Sequence, residues 1–238
     1  MKGIVLAGGL GTRLYPSTHV INKHTLPVYD RPMFYWSLQT LIDSGLKDIA
    51  VVSGPPFGQQ IRKLIEFFPK PKRVKLRYIV QPTPGGMPDA IARCKNIFKN
   101  NNIIVIAGDN YYNRDFTKEV LNFKKGAVSF LRKVQDPQRY GVPIFKNNKL
   151  IRIEEKPKKP KTNLVVTGPH LFDENVFDYI AILKPSARGE LEISELNSLY
   201  IKNNTLKLIR RIDKWGDTGT YDSLLSVSIL AKKYADKK

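Results

Sequence analysis

One cysteine, three histidines and barely half as many acidic as basic residues leave this chain short of several common tools of protein chemistry. Cys94 is alone, so no internal disulfide can form, a reducing cytoplasm is the default setting, and Cys94 reads as a helix residue rather than a nucleophile. His19, His24 and His170 fall at no spacing that suits a metal-ligand set, and no Ser/His/Asp arrangement for nucleophilic catalysis is visible. No apolar run approaches the roughly 20 residues that a membrane helix needs. The apolar start at residues 4–7 is too short for a signal peptide and leads into glycine instead of a cleavage site. The first turn also lacks a dinucleotide fingerprint, because Leu14 stands where the third glycine of G-x-G-x-x-G belongs, and no G-K-[ST] of a P-loop occurs. Nicotinamide binding and ATPase activity both lose support. RNP-like and zinc-knuckle signatures are missing as well.

Positive charge is abundant. Forty Lys and Arg against 21 Asp and Glu give a formal charge of +19, a field that attracts nucleotides, sugar phosphates and nucleic acid alike. Much of the excess clusters in "PKPKRVKLR" (69–77), "KPKKPK" (156–161) and the terminal "KKYADKK", which read as solvated loops and a frayed tail. The first two runs lack aromatics, and the first and last lie away from the motifs described below. A non-catalytic nucleic-acid binder is therefore the weaker alternative, and no specific nucleic acid is expected as a partner.

At 238 residues, with 42% hydrophobic content, the chain is long enough for one large domain with a real core. Apolar runs rich in β-branched residues, "GIVLAG", "DIAVVSG", "LRYIVQ", "NIIVIAGD" and "AVSFLRKV", are bounded by Gly, Pro, Asp or Asn and predict strands. Between them, residues 33–43, 59–68, 88–98 and 116–124 carry apolar side chains at helical spacing. Such alternation predicts an α/β fold, a Rossmann-like three-layer α/β/α arrangement with a mixed, mainly parallel sheet. After about residue 135 the pattern changes to the strand-like pieces "YGVPIF", "KLIRIEEK" and "NLVVTGPHLF". Helices over 174–183 and 190–202, a strand over 206–211 and a last helix from 221 to about 234 follow. The expected organisation is a single domain over 1–238. Its nucleotide-binding core spans about 1–135, a small β-rich lobe about 136–215, and the last helix returns to the core. Ligands of such sheets sit beyond the carboxyl ends of strands, where the glycines after strand one, Gln81 and Asp109 all fall.

Gly8, Gly9 and Gly11 let main chain approach a ligand closely. Successive N–H groups there can surround phosphate oxygens while Arg13 adds a planar, permanent charge. A tight strand-to-helix turn with an exposed arginine explains the same glycines equally well.

The wider pattern, "LAGGLGTRLYPST" followed by "NKHTLPVYDRPMFYW", resembles the opening signature of the sugar-1-phosphate nucleotidylyltransferases. The form K-x-x-L-P-V-Y-D-[KR]-P-M is most similar to the glucose-1-phosphate thymidylyltransferase branch. "QPTPGGMPDA", "AGDNYY", "DPQRYGV", "IEEKPKKPKTNLVVTG", "LKPSARGELEISELN" and "WGDTGTY" follow in family order over nearly the whole chain. The resemblance implies a Mg²⁺-dependent enzyme that joins dTTP to glucose 1-phosphate and releases pyrophosphate. UTP, or another sugar 1-phosphate, is the alternative. It also implies site residues. Leu6, Ala7, Gly8, Gly9, Gly11, Thr12, Arg13, Gln81, Gly86 and Asp109 would bind the nucleotide. Arg13, Lys23 and Asp109 would act in catalysis, and Asp109 with Asp217 would hold the metal. Gly141, Glu155, Lys156, Val166, Gly168 and Arg188 would bind the sugar phosphate. Four places depart from the usual pattern: Pro88 near the base, Pro143 and the "GPH" of 168–170 near the sugar, and Gly216 beside Asp217. Longer relatives carry a C-terminal extension that helps build a regulatory nucleotide site, so no such site of the usual construction is expected here. A membrane partner is not expected, and the pattern leaves room for a homo-oligomer.

Overall fold

The computed structural model describes residues 1–147, 149–211 and 214–235. The last three residues of the basic terminal run, 236–238, lie outside the described residues. Strands β1 (Lys2–Leu6), β2 (Pro27–Val28), β3 (Arg31–Pro32), β4 (Asp48–Ser53) and β5 (Lys75–Val80) are interspersed with helices α1 (Met33–Asp43) and α2 (Gly58–Phe67). Next come α3 (Met87–Ala92), α4 (Lys95–Phe98), β6 (Ile103–Ala107), β7 (Asn110–Tyr112) and α5 (Thr117–Asn122). Four longer strands follow, β8 (Ala127–Lys133), β9 (Gly141–Lys146), β10 (Lys149–Glu155) and β11 (Leu164–Phe172). Last are α6 (Val176–Ala181), α7 (Ile193–Lys202), β12 (Leu206–Arg210), β13 (Trp215–Asp217) and α8 (Tyr221–Ala235). No described helix is long and apolar enough to cross a membrane.

The chain divides into two compact units that interleave along the sequence. The first contains residues 1–84, 106–122 and 213–238, and the second 85–105 and 123–212.

In the first unit β1, β4 and β5 run parallel, with Leu6 opposite Val52 and Ser53 opposite Val80. Their carboxyl ends are thus level, and the chain leaves all three at one edge. Ile4, Val5, Ile49, Val51 and Val52 are fully buried, each contributing about 1.5–3 kcal/mol by leaving water. Helix α1 follows Pro32, whose fixed φ and missing N–H suit a helix entrance, and ends at Gly45 with φ +86°. It packs Met33 and Trp36 against Val28, Tyr111, Val227 and Ala231, which joins α1 and α8 to β7. Strand β7 pairs antiparallel with β13, 105 residues later, placing Asp217 opposite Asn110.

In the second unit β11 is the hub. It pairs antiparallel with β6, with β8 and, at Val166 opposite Gly141, with β9. β9 and β10 form a hairpin, and β12 runs parallel to β8. The expected α/β class with a mixed sheet is found, the parallel ladder β1–β4–β5 in the first unit and the antiparallel pairs mostly in the second. The helix expected over 88–98 is broken into α3 and α4. The Cys94 N–H bonds back only three residues, to Ile91, and that tightening ends α3. Cys94 is fully buried, which pushes its thiol up to about 12 and removes it as a nucleophile at neutral pH.

Candidate active site

The glycine loop leaves β1 beside the ends of β4 and β5. Ala7 N–H still bonds to Val52 O, after which Gly8, Gly9 and Leu10 run free of the ladder to a 3₁₀ turn at Thr12–Leu14. Leu6 and Ala7 are buried strand-end residues, whereas Thr12 and Arg13 face solvent. The Arg13 guanidinium makes no hydrogen bond or ion pair with any described residue. Gln81, at the carboxyl end of β5, is buried with its Oε1 2.9 Å from where a Cβ on Gly8 would stand.

Lys23 lies on a second 3₁₀ turn, Lys23–Thr25, and its side chain runs back along the glycine loop. A Cβ on Gly11 would come 2.7 Å from Lys23 Cβ, and one on Gly9 3.0 Å from Lys23 Cε. Gly11 also has φ +71°, a conformation that L side chains resist. The loop's glycines therefore have a cause beyond ligand approach: they make room for a lysine.

That lysine ends at Asp109. Lys23 Nζ is 2.5 Å from Asp109 Oδ2, and Asp109 Oδ1 accepts from Asn110 Nδ2 at 2.8 Å. Asp109 follows β6, where Gly108 N–H donates to Leu6 O and so lays the turn against the end of β1. Burial pushes the Asp109 carboxyl up. The charge of Lys23, the neighbouring His24 and the hydrogen bonds from Lys23 and Asn110 outweigh burial and hold it well below the ordinary carboxylate range. His24, almost fully buried, is driven down to about 3, first by burial and then by the Lys23 charge. The imidazole is therefore neutral at pH 7.

Asp217 comes to the same place by backbone pairing. It stands opposite Asn110 in the β7–β13 ladder, and both the N–H and the hydroxyl of Thr218 donate to Asp109 O at 2.9 Å. Asp217 Oδ1 accepts from Gly219 N–H at 3.0 Å. Pairing of β7 with β13 thus brings the backbones of two acidic residues, from segments more than a hundred residues apart, to neighbouring positions. Such a pair suits Mg²⁺, which takes one or two carboxylates and fills its remaining positions with water and phosphate oxygens. No cluster of three or more potential metal ligands occurs among the described residues.

The second unit gathers the sugar-side residues. Gly141 stands opposite Glu155 on β10 and Val166 on β11, so the three form a row across three strands. Gly168 is two residues along β11, where the register shifts between Thr167 and Leu171. Glu155 Oε2 is buried and accepts no hydrogen bond from any described residue. Burial raises the Glu155 pKa, and Lys156, with Nζ 3.7 Å from Oε1, opposes that rise. Lys156 takes φ +44° directly after the strand. Arg188 is engaged differently from the simple phosphate clamp that the sequence suggests. Its Nη2 donates to both oxygens of Glu192, each at 2.8 Å, and its Nε to Oε1. It lines a cavity of about 510 Å³ together with Glu155, Lys184, Glu192 and Lys202. Gly86 has φ +91° and bridges to Leu191 as it opens α3.

Sequence reading missed Asn22, Asn110, Thr218 and Tyr221, which fix the groups named above by bonding backbone carbonyls or neighbouring side chains. Asn22 ahead of "KHT" is a cap signal that could have flagged the first. The others leave no local trace.

Comparison with known proteins gives one consistent picture. A family profile described as nucleotidyl transferase matches residues 2–233. A Neisseria meningitidis protein named glucose-1-phosphate thymidylyltransferase is 40% identical over 235 residues, covering 94% of this chain and 80% of the relative. One from Mycobacterium tuberculosis with the same name is 37% identical over 234 residues, covering 96% and 81%. A Bacillus anthracis crystal structure described under that enzyme name, in complex with a sucrose, superposes with TM-score 0.87 and 42% identity over 98% of this chain and 95% of that one. A UDP-glucose pyrophosphorylase structure, TM-score 0.82 at 21% identity over 100% and 99%, shares the fold.

Proposed function

The chain belongs to the nucleotidyl transferase family, and from that premise we propose that it transfers the thymidylyl group of dTTP to glucose 1-phosphate. The products are dTDP-glucose and pyrophosphate. A phosphate oxygen of the sugar attacks the α-phosphorus in line, forming one P–O bond as the bond to the β-phosphate oxygen breaks. Both reactants are anions, so the work left to the protein is neutralisation and alignment.

The observation that carries this reading is the Lys23–Asp109 pair laid along the glycine loop with Asp217 alongside. In it, main-chain N–H groups of residues 8–12 hold the triphosphate. Arg13, exposed and uncommitted, takes up charge on the departing pyrophosphate. The Lys23 ammonium neutralises oxygens at the reacting phosphorus. Gln81, which can donate and accept at once, reads the edge of the pyrimidine. Asp109 and Asp217 would hold Mg²⁺, which when bound supplies Lewis-acid polarisation of phosphate oxygens. On the sugar side, Glu155 Oε2 is an acceptor awaiting a ring hydroxyl. Gly141, Val166 and Gly168 give main chain and shape, Lys156 meets the phosphate, and Arg188, whose Nε and Nη2 are held by Glu192, adds only its remaining Nη1 donors.

Incubation of the protein with dTTP, glucose 1-phosphate and Mg²⁺ should release pyrophosphate, with UTP poorer by kcat/KM. Absence of turnover with every nucleotide and sugar-phosphate pair would overturn the reading, and a preference for UTP would reassign the base.

A further inference from the structure

Lys23 is buried and arrives at Asp109 along a tightly filled path, yet nothing in its own side chain fixes the backbone from which it starts. Asn22 does that. Its side-chain amide uses both donors and both acceptor directions. Nδ2 donates to Ala7 O and to Ser53 Oγ, each at 3.2 Å, and Oδ1 faces His24 N–H and His24 Nδ1, each at 2.9 Å. The amide's orientation follows from its partners, because a backbone carbonyl only accepts and a backbone N–H only donates. Acceptance by Oδ1 in turn places the His24 proton on Nδ1. Ser53 Oγ donates to the same Ala7 carbonyl at 2.7 Å, so the ends of β1 and β4 and the lysine turn converge on one side chain that is only 6% exposed. The main chain of Asn22 is held too, with its N–H donating to Gln60 Oε1 of α2 at 2.7 Å and its carbonyl accepting from Thr25. On the far side of Lys23, the His24 ring packs between the glycine loop and Gly108. Its Cε1 and Cδ2 lie 3.7 and 3.0 Å from where side chains on Gly9 and Gly108 would begin.

We propose that Asn22, through the His24 turn, is the positioning residue for Lys23: it locks the lysine turn to the carboxyl ends of β1 and β4 and so fixes where the ammonium meets the reacting phosphate. The proposal rests on the reading of Lys23 given above. Asn22 touches no reacting atom. Its contribution therefore appears in kcat, with substrate binding nearly unchanged, and it vanishes when the lysine charge is gone.

A double-mutant cycle tests this with dTTP and glucose 1-phosphate as substrates. N22A is expected to lower kcat by about 10- to 100-fold, the scale of a side chain displaced by roughly an ångström, with both KM values within about threefold of wild type. In a K23M background the same change is expected to alter kcat by less than about twofold, because the two residues act as one unit. Equal losses in the two backgrounds, or a loss confined to KM, would show Asn22 to be merely structural and overturn the proposal. If N22A does not fold, N22S, which keeps a short acceptor for His24 N–H but cannot reach Ala7 and Ser53, is carried through the same cycle with the same criteria. A wild-type protein that turns over no substrate pair overturns the functional reading and this inference together. An active wild type with an additive cycle overturns this inference alone.

Discussion

Gly11 and Lys23 compete for one space. A methyl at position 11 meets both a positive φ and the lysine's own Cβ, so G11A should cost about 1–3 kcal/mol of stability and displace the ammonium as well. Thermal unfolding and pyrophosphate release, measured together, should both fall, and a fully active variant would refute the steric account. Asp109 is the partner of that ammonium. D109N keeps the shape but removes the charge, and turnover should drop by about 10²-fold or more while the fold persists in circular dichroism. His170 gives a prediction independent of the chemistry. It is buried, its Nδ1 is 2.8 Å from Ser129 Oγ, and burial pushes its pKa down to about 4. The unfolded chain takes up a proton near pH 6.5 that the folded chain refuses, so stability falls as pH drops from about 6.5 towards 4, by up to about 1.4 kcal/mol per pH unit for this residue. His24, held lower still, acts in the same direction. H170Q should show a visibly shallower loss of unfolding temperature between pH 6 and 4.5, and an identical slope would remove His170 from the acid response.

Among the elements, α8 reaches back to the glycine loop. The Tyr221 hydroxyl donates to Leu14 O at 2.8 Å and lies 2.9 Å from Ser17 Oγ, so the first residue of this helix steadies the turn that carries Arg13. Y221F removes those bonds and little else. It should cost about 0.5–1.5 kcal/mol and raise KM for dTTP more than KM for the sugar phosphate, which initial-rate kinetics would separate. How far an element could be read from sequence depended on where its causes lie. Helix α1 was legible to the residue, because Pro32 and Gly45 bracket a continuous apolar pattern. The parallel strands were legible from their β-branched runs. β7 and β13 were not, since "NYY" and "WGD" are three residues each and exist only because they pair with one another. The break between α3 and α4 was hidden for a related reason: the apolar spacing continues through Cys94 while the hydrogen-bond ladder does not. Motif likeness marked Gly11, Lys23, Asp109 and Asp217, which the fold does gather. Of the residues that hold them, Asn22 left only a cap signal, and Thr218, acting through the Asp109 carbonyl, carries no distinctive spacing.

Across the whole molecule, a formal charge of +19 exceeds what a handful of phosphate contacts requires. Because both substrates are anions, that field should speed their capture. kcat/KM should fall steadily between about 0.05 and about 0.5 M salt, while kcat at saturating substrate changes much less. A flat profile would show the excess charge to be irrelevant to encounter.

The interleaving of segments has a consequence for biosynthesis. Strand β7, with Asp109 just before it, leaves the ribosome long before its only partner strand among the described residues, β13, has been translated. A nascent chain therefore carries the buried lysine–aspartate pair with no second carboxylate and an unpaired strand edge beside it. Pausing or proteolytic clipping ahead of residue 215 would leave a species without Asp217, so under the proposed function Asp109 gains its second carboxylate only once β13 has been translated.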